Sequence, residues 1–135
     1  MKRLRRHFKG RRIRFFMCGE YGPATMRPHY HALLFNVNFF DRRSRGKSGS
    51  GFPLYESALL TRLWGFGFAT VQDLNPQTVG YCTRYVVDKV TGDAAEDHYA
   101  YVDEVGEILA RKPEYCACSL KPGIGALWYV RYRDW

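Results

Sequence analysis

The sequence predicts an α+β fold in which helices pack on a central antiparallel sheet. Three observations lead there. Short apolar runs of strand character alternate with segments of helical spacing. Most of the strands lie close enough in sequence to be joined by hairpins. The chain has 135 residues, 46% hydrophobic and 16% aromatic, which is enough to bury a core as one domain and too apolar for a disordered chain.

Taken in order, residues 2–8 have helix-forming composition and end at Gly10, a C-cap residue. Residues 13–18 (IRFFMC) read as a strand, 19–28 as a turn-rich connection, and 29–37 (HYHALLFNV) as the clearest strand. Residues 42–52, rich in Gly, Ser and Arg, read as a mobile loop. Leu59, Leu60 and Leu63 give 55–64 helical spacing, and 65–74 holds a short strand. Asn75 and Pro76 open a helix over 76–90 that stops near Gly92, with Pro in the first turn where its missing donor does no harm. The acidic stretch 93–107 reads as a hairpin insertion turning at Gly106. A strand over 115–120, a turn over 121–125 and a helix over 126–133 complete the chain.

Charge narrows the partners. Twenty-one Lys and Arg oppose thirteen Asp and Glu, a net +8, a balance that favours a polyanion. The charge is also segregated. Residues 1–14 carry eight positive charges and no acid, Arg42, Arg43, Arg45 and Lys47 form a second cluster, and 91–110 has six acids with no Lys or Arg. Arg11, Arg12, Arg14 and the 42–47 cluster are therefore the candidate nucleic-acid contacts. No apolar run approaches the roughly 18–20 residues of a membrane helix, and the basic N-terminal stretch has no apolar core of a secretory signal. The cysteines at 18, 82, 116 and 118 include no CxxC pair, so they read as reduced thiols of a cytoplasmic protein rather than a zinc site or disulfides.

Two constellations carry chemistry. His29 and His31 flank Tyr30, and on a strand residues i and i+2 share a face, so the imidazoles stand side by side. Glu20, nine positions before His29, can return beside them through a hairpin. Two imidazoles and a carboxylate make a three-ligand site with open positions. The same residues also suit an ordinary half-buried strand face and a solvated turn. On the predicted helix, Tyr81, Tyr85 and Lys89 follow i, i+4, i+8 and form one ridge. Val79, Val86, Val90 and Cys82 form an apolar stripe roughly 120–160° away at about 100° per residue. Packing tyrosines remain the alternative, although the separate valine stripe weakens it. A phenol can attack a phosphodiester as a covalent nucleophile when the phosphate is polarised.

The run CGEYGPATMRPHYHALLF (18–35) resembles the metal-binding motif of HUH endonucleases. YCTRYVVDK (81–89) is similar to the two-tyrosine motif of phage rolling-circle initiators. PEYCACSLKPGIGALWY (113–129) resembles the segment that follows it in replication initiators of small single-stranded DNA phages, the microviruses, especially the gokushovirus branch. The three stand in the expected order. The resemblance implies a single HUH nickase-type domain over 1–135, truncated at both ends and lacking the first central strand. It implies that His29, His31 and Glu20 bind Mg2+ or Mn2+, that Tyr81 and Tyr85 are alternating nucleophiles forming 5′-phosphotyrosyl links, and that Lys89 neutralises the scissile phosphate. The implied partners are origin single-stranded DNA and the host replication machinery, in the bacterial cytoplasm and without a membrane; nothing follows about oligomeric state. A remnant that binds single strands without cutting is the alternative. An RNA-binding module is disfavoured, since its aromatic signature is not recognisable.

Overall fold

Helix signals in the chain are short and locally capped, and so are the helices they produce. The computed structural model describes residues 1–22, 25–84 and 89–135. In chain order the elements are α1 (Lys2–His7), β1 (Arg14–Tyr21), β2 (Pro28–Phe35), β3 (Arg43–Lys47), β4 (Pro53–Glu56), α2 (Ala58–Trp64) and β5 (Thr70–Val71). There follow α3 (Pro76–Arg84), α4 (Ala94–Tyr99), β6 (Ala100–Val102), β7 (Ile108–Ala110), β8 (Tyr115–Cys118) and α5 (Ala126–Tyr132). Among the described residues the strands form three sheets, ordered β2-β1-β8, β3-β4-β5 and β6-β7, with helices around them. The fold is α+β with antiparallel sheets flanked by helices, as the sequence predicts. No described helix is long and apolar enough to cross a membrane.

The contacts divide the chain into two compact units, each built from two segments. Met1–Phe15 with Leu34–Val79 make the first. Its core is Leu4, Ile13 and Phe39, all buried, with Phe8, Leu34, Leu59, Leu60 and Leu63 among the half-buried side chains packed on them. Leu4 is the buried residue of α1, whose last turn holds Arg5, Arg6 and His7, where positive charge suits the negative end of the helix dipole. In α2 the buried Ser57 accepts the Leu60 N–H at 3.0 Å as N-cap, and Gly65 ends the helix in the left-handed region. Asn75 caps α3 in a reciprocal pair: its Oδ1 accepts the Thr78 N–H at 2.9 Å, and its own N–H donates to Thr78 Oγ1 at 3.0 Å. The Asn75–Pro76 start is where the sequence puts it.

The 42–52 segment departs from expectation. It is a hairpin, with β3 antiparallel to β4 in the register Arg43↔Glu56, Ser44↔Tyr55 and a bulge before Lys47↔Pro53. Every residue of β3 is exposed, so backbone pairing holds the strand and its side chains give no alternating pattern to read. The same pairing takes 53–56 out of the helix predicted over 55–64.

Phe16–Leu33 with Gly80–Trp135 make the second unit. β8 pairs antiparallel with β1, Phe16↔Cys118 through Gly19↔Tyr115. The Tyr115 ring lies over Gly19, where a Cβ would come within 2.7 Å of it. The predicted hairpin insertion is present as β6 and β7, with Asp103 Oδ1 accepting the Val105 and Glu107 N–H groups in its turn. Residues 94–99 ahead of it are helical rather than extended, so the apparent alternation of HYAYV straddles the α4–β6 junction. At that junction Tyr99, 4% exposed, donates its hydroxyl to the buried Glu114 and accepts the Val90 N–H at 3.1 Å.

In the first unit Asp41 stitches the start of α2. Its carboxylate accepts the Leu59 N–H at 2.8 Å and the Ser57 hydroxyl at 2.7 Å, and these bonds hold its pKa below the ordinary value. The stabilisation is complete above the unfolded pKa of about 3.9 and is lost as pH falls through the lower folded value. Asp41→Asn is therefore expected to be less stable than the natural chain at about pH 7 and to close that gap as the pH falls to about 2. Urea melts at the two pH values check this; a gap that persists in acid would show that the carboxylate charge is not its source.

Candidate functional site

β1 and β2 are neighbours in their sheet, and Glu20 and the two histidines face each other from them. Glu20 lies inside β1, beyond the Cys18 limit predicted for that strand. Its side chain is only 10% exposed. His31 Nε2–H donates to Glu20 Oε1 at 2.9 Å, and His29 Nδ1 stands 3.7 Å from the same oxygen. Side-chain exposure rises outward, from 24% at His31 to 50% at His29. One buried carboxylate oxygen thus faces both imidazoles, and His29 and His31 share a strand face as i, i+2 alternation requires.

The connection between the strands shapes the outer end. Gly22 N–H donates to Arg27 O at 3.0 Å, and Met26 N–H to Gly22 O at 2.9 Å. A Cβ on Gly22 would come within 2.9 Å of His29 Cε1. A glycine there lets the imidazole lie against the backbone. Sequence reasoning passed over Gly22, whose only signal is its place at the end of a strand.

α3 meets this face through two contacts. Cys18, two residues before Glu20 and 1% exposed, donates its thiol to the Cys82 carbonyl at 3.4 Å. Burial, with smaller contributions from Cys82 and Glu20, pushes the Cys18 thiol up to about 11, and burial raises Cys82 as well. Both are thus neutral packing groups near pH 7. On the adjacent position of the helix, the Tyr81 ring stands edge-on to His31, centroids 5.5 Å apart and planes at 78°. Cys82 is buried while Tyr81 is 48% exposed, the separation of apolar and phenolic faces that the spacing predicts.

The ridge beyond Tyr81 is corrected in one respect. Lys89 lies in exposed, non-helical backbone, and the described part of α3 ends at Arg84. The predicted continuation of the helix to residue 90 therefore does not hold at Lys89; Asp93 and Gly92 already belong to the approach to α4. Tyr85 and Val86 lie outside the described residues. All four cysteines are free thiols, with Cys116 exposed rather than half-buried.

Two imidazoles and a carboxylate are suitable donors for a divalent cation. Ligands at about 2.1 Å from an octahedral ion lie roughly 3.0 to 4.2 Å from one another, a range that the 2.9 and 3.7 Å separations approach or fall within. Even so, no group of three or more His, Cys, Asp and Glu among the described residues is arranged to hold a metal ion; His31 and Glu20 are hydrogen-bonded to each other instead.

The basic candidates fall in the first unit. Arg11 and Arg12 are exposed and line a shallow concavity with Asn36, Val37 and Asn38, and Arg14 begins β1. Arg42 pairs with Asp73 at 2.6 Å and lies over the Tyr55 ring; Arg45 pairs with Glu56 at 3.2 Å. Arg43 and Lys47 are exposed on β3.

Comparison with known proteins places the chain. Residues 1–90 match the family model of the replication-associated protein ORF2. The chain is 33% identical over 93 residues to the replication-associated protein ORF2 of Spiroplasma virus 4, covering 67% of this chain and 29% of that protein. It is 30% identical over 125 residues to the replication-associated protein VP4 of Bdellovibrio phage phiMH2K, covering 92% and 36%. With the replication-associated protein ORF4 of Chlamydia phage 1 it is 32% identical over 96 residues, covering 65% and 24%. The chain spans about a quarter to a third of the length of these relatives. No solved structure matches. On the family model, which takes in two thirds of its length, the chain belongs to the replication-associated protein ORF2 family.

Proposed function

We propose that this chain is the nicking and joining domain of a rolling-circle replication initiator of the HUH endonuclease type, acting on single-stranded DNA at an origin. The observation that carries the reading is the convergence of His29 and His31 on Glu20 Oε1, with the Tyr81 ring against His31. Membership of a replication-associated family supports it. Glu20, His29 and His31 would hold Mg2+ or Mn2+. When bound, that ion supplies positive charge to a phosphodiester and orients it for in-line displacement.

The chain's own residues do the covalent work. The phenolic oxygen of Tyr81 attacks phosphorus and gives up its proton; the bond from phosphorus to the 3′ oxygen breaks, and that oxygen takes a proton to become a free 3′-hydroxyl. The 5′-phosphate stays on the tyrosine as a diester, so its bond energy is kept. A 3′-hydroxyl can attack it in turn and rejoin the strand without ATP. Tyr85 serves as the second nucleophile while Tyr81 still carries DNA. Lys89, exposed after the helix, offsets phosphate charge. Arg11, Arg12, Arg14, Arg43 and Lys47 hold the strand electrostatically, and the host replication machinery extends the freed 3′ end. The proposed setting is the bacterial cytoplasm.

A second reading, single-strand binding without cutting, draws on the hydrogen bond that engages His31 with Glu20. Incubation with origin-like single-stranded DNA and manganese, followed by denaturing electrophoresis, separates the two. A covalent adduct is expected, present in each of Tyr81→Phe and Tyr85→Phe and absent from the double variant. Single variants should cut once and fail in rejoining. An adduct in the double variant, or none in the natural chain, overturns the nicking assignment.

Gly22→Ala tests the metal ligands separately. The added methyl displaces the His29 ring, an exposed group, so stability should change little while manganese affinity falls about tenfold or more, as for losses of ligand positioning elsewhere. Calorimetry that shows natural affinity both in Gly22→Ala and in the His29→Ala, His31→Ala double variant would remove the cation from these residues.

A further inference from the structure

The segment after α2 exposes two aromatic rings with no apolar neighbour to cover them. In Trp64-Gly65-Phe66-Gly67-Phe68 both glycines have positive φ, 70° and 107°, a conformation that favours glycine. Between and after these bends, Phe66 and Phe68 are 75% and 60% exposed. A guanidinium accompanies each ring. Arg3 Cζ lies 5.2 Å from the Phe66 centroid and Arg45 Cζ 4.3 Å from that of Phe68. The arginines are anchored, Arg3 donating to the Trp64 carbonyl and Arg45 to Glu56 at 3.2 Å. Trp64 braces Phe66 edge-on, centroids 5.2 Å apart. A Cβ on Gly65 would come within 2.4 Å of the Arg3 guanidinium, so glycine is needed there on two grounds.

We propose that Phe66 and Phe68 form a stacking platform for unpaired nucleobases of single-stranded DNA. The inference rests on the reading that the chain engages such a strand, and it names where the bases go. Charge complementarity selects the occupant: the rings sit in the unit that holds the basic stretch 1–14 and the 42–47 cluster, in a chain of net +8. A phenyl face accepts any base, and a guanidinium beside it meets the phosphate. Bases in a duplex are stacked on each other and cannot use the rings. Arg42 and Arg45 already have carboxylate partners, so part of the affinity expected of that cluster must come from something other than free charge, and the rings supply it.

The test uses metal-free buffer with chelator, so that cutting does not enter. Fluorescence anisotropy compares an oligothymidine with an abasic oligonucleotide of the same length over a salt series, for the natural chain, Phe66→Ala/Phe68→Ala and Phe66→Tyr/Phe68→Tyr. The natural chain is expected to prefer the oligothymidine. The Ala pair should lose about tenfold in affinity for each ring on that strand and nothing on the abasic one, with the salt slope unchanged. The Tyr pair should bind as the natural chain does. Equal loss on both strands, no loss on either, or a natural chain that does not distinguish them overturns the platform. Failure of the nicking reading shows separately, as the missing adduct in manganese.

Discussion

A carboxylate with a tenth of its side chain in water has to be answered by a donor or a cation, because an unpaired buried charge costs several kcal/mol. Glu20 is such a group, and much of the second unit is arranged around it. The answer at hand is His31, one strand over, and the same oxygen faces His29. That requirement constrains the β1–β2 register, since a slip of one residue would turn both histidines to the other face and leave Tyr30 opposite the carboxylate. It also explains why the residues around it are small or neutral. Gly22 leaves room for an imidazole, and Cys18 and Cys82 fill the space below without adding charge.

How much of this was legible in the sequence depends on whether the signal was local. The shared face of His29 and His31 followed from strand alternation, and the Asn75–Pro76 helix start from capping chemistry; both are one-element properties. The opposed faces of Tyr81 and Cys82 followed from the helical angle. What the sequence did not disclose lay in pairing across the chain. Arg43–Lys47 has the composition of a loop and becomes a strand because β4 supplies hydrogen-bond partners. Lys89 continues the tyrosine spacing on paper, yet its backbone is not helical, and Val90 beside it is held by the buried Tyr99 hydroxyl. The bond at Val90 depends on a residue nine positions on that no helical periodicity contains.

The basic stretches show the same difference between composition and context. A count of positive residues treats Arg42 and Arg43 alike, but the structure gives Arg42 an aspartate and leaves Arg43 exposed on β3. Local ion pairs at the surface contribute little to stability; here they hold two guanidinium groups over the Tyr55 and Phe68 rings, so the cluster is a set of placed side chains rather than a diffuse charge.

The pairing of β1 with β8 has a further consequence for how the protein is made. Phe16 faces Cys118, so β1 waits for its neighbour while about a hundred residues are translated, some 5 to 20 s at ordinary bacterial rates of synthesis. Through that interval the nascent chain carries an incomplete sheet with an open strand edge, a substrate for chaperones. A ribosome that stalls anywhere between the two strands releases a chain that holds the Glu20 and histidine strands without the third member of their sheet.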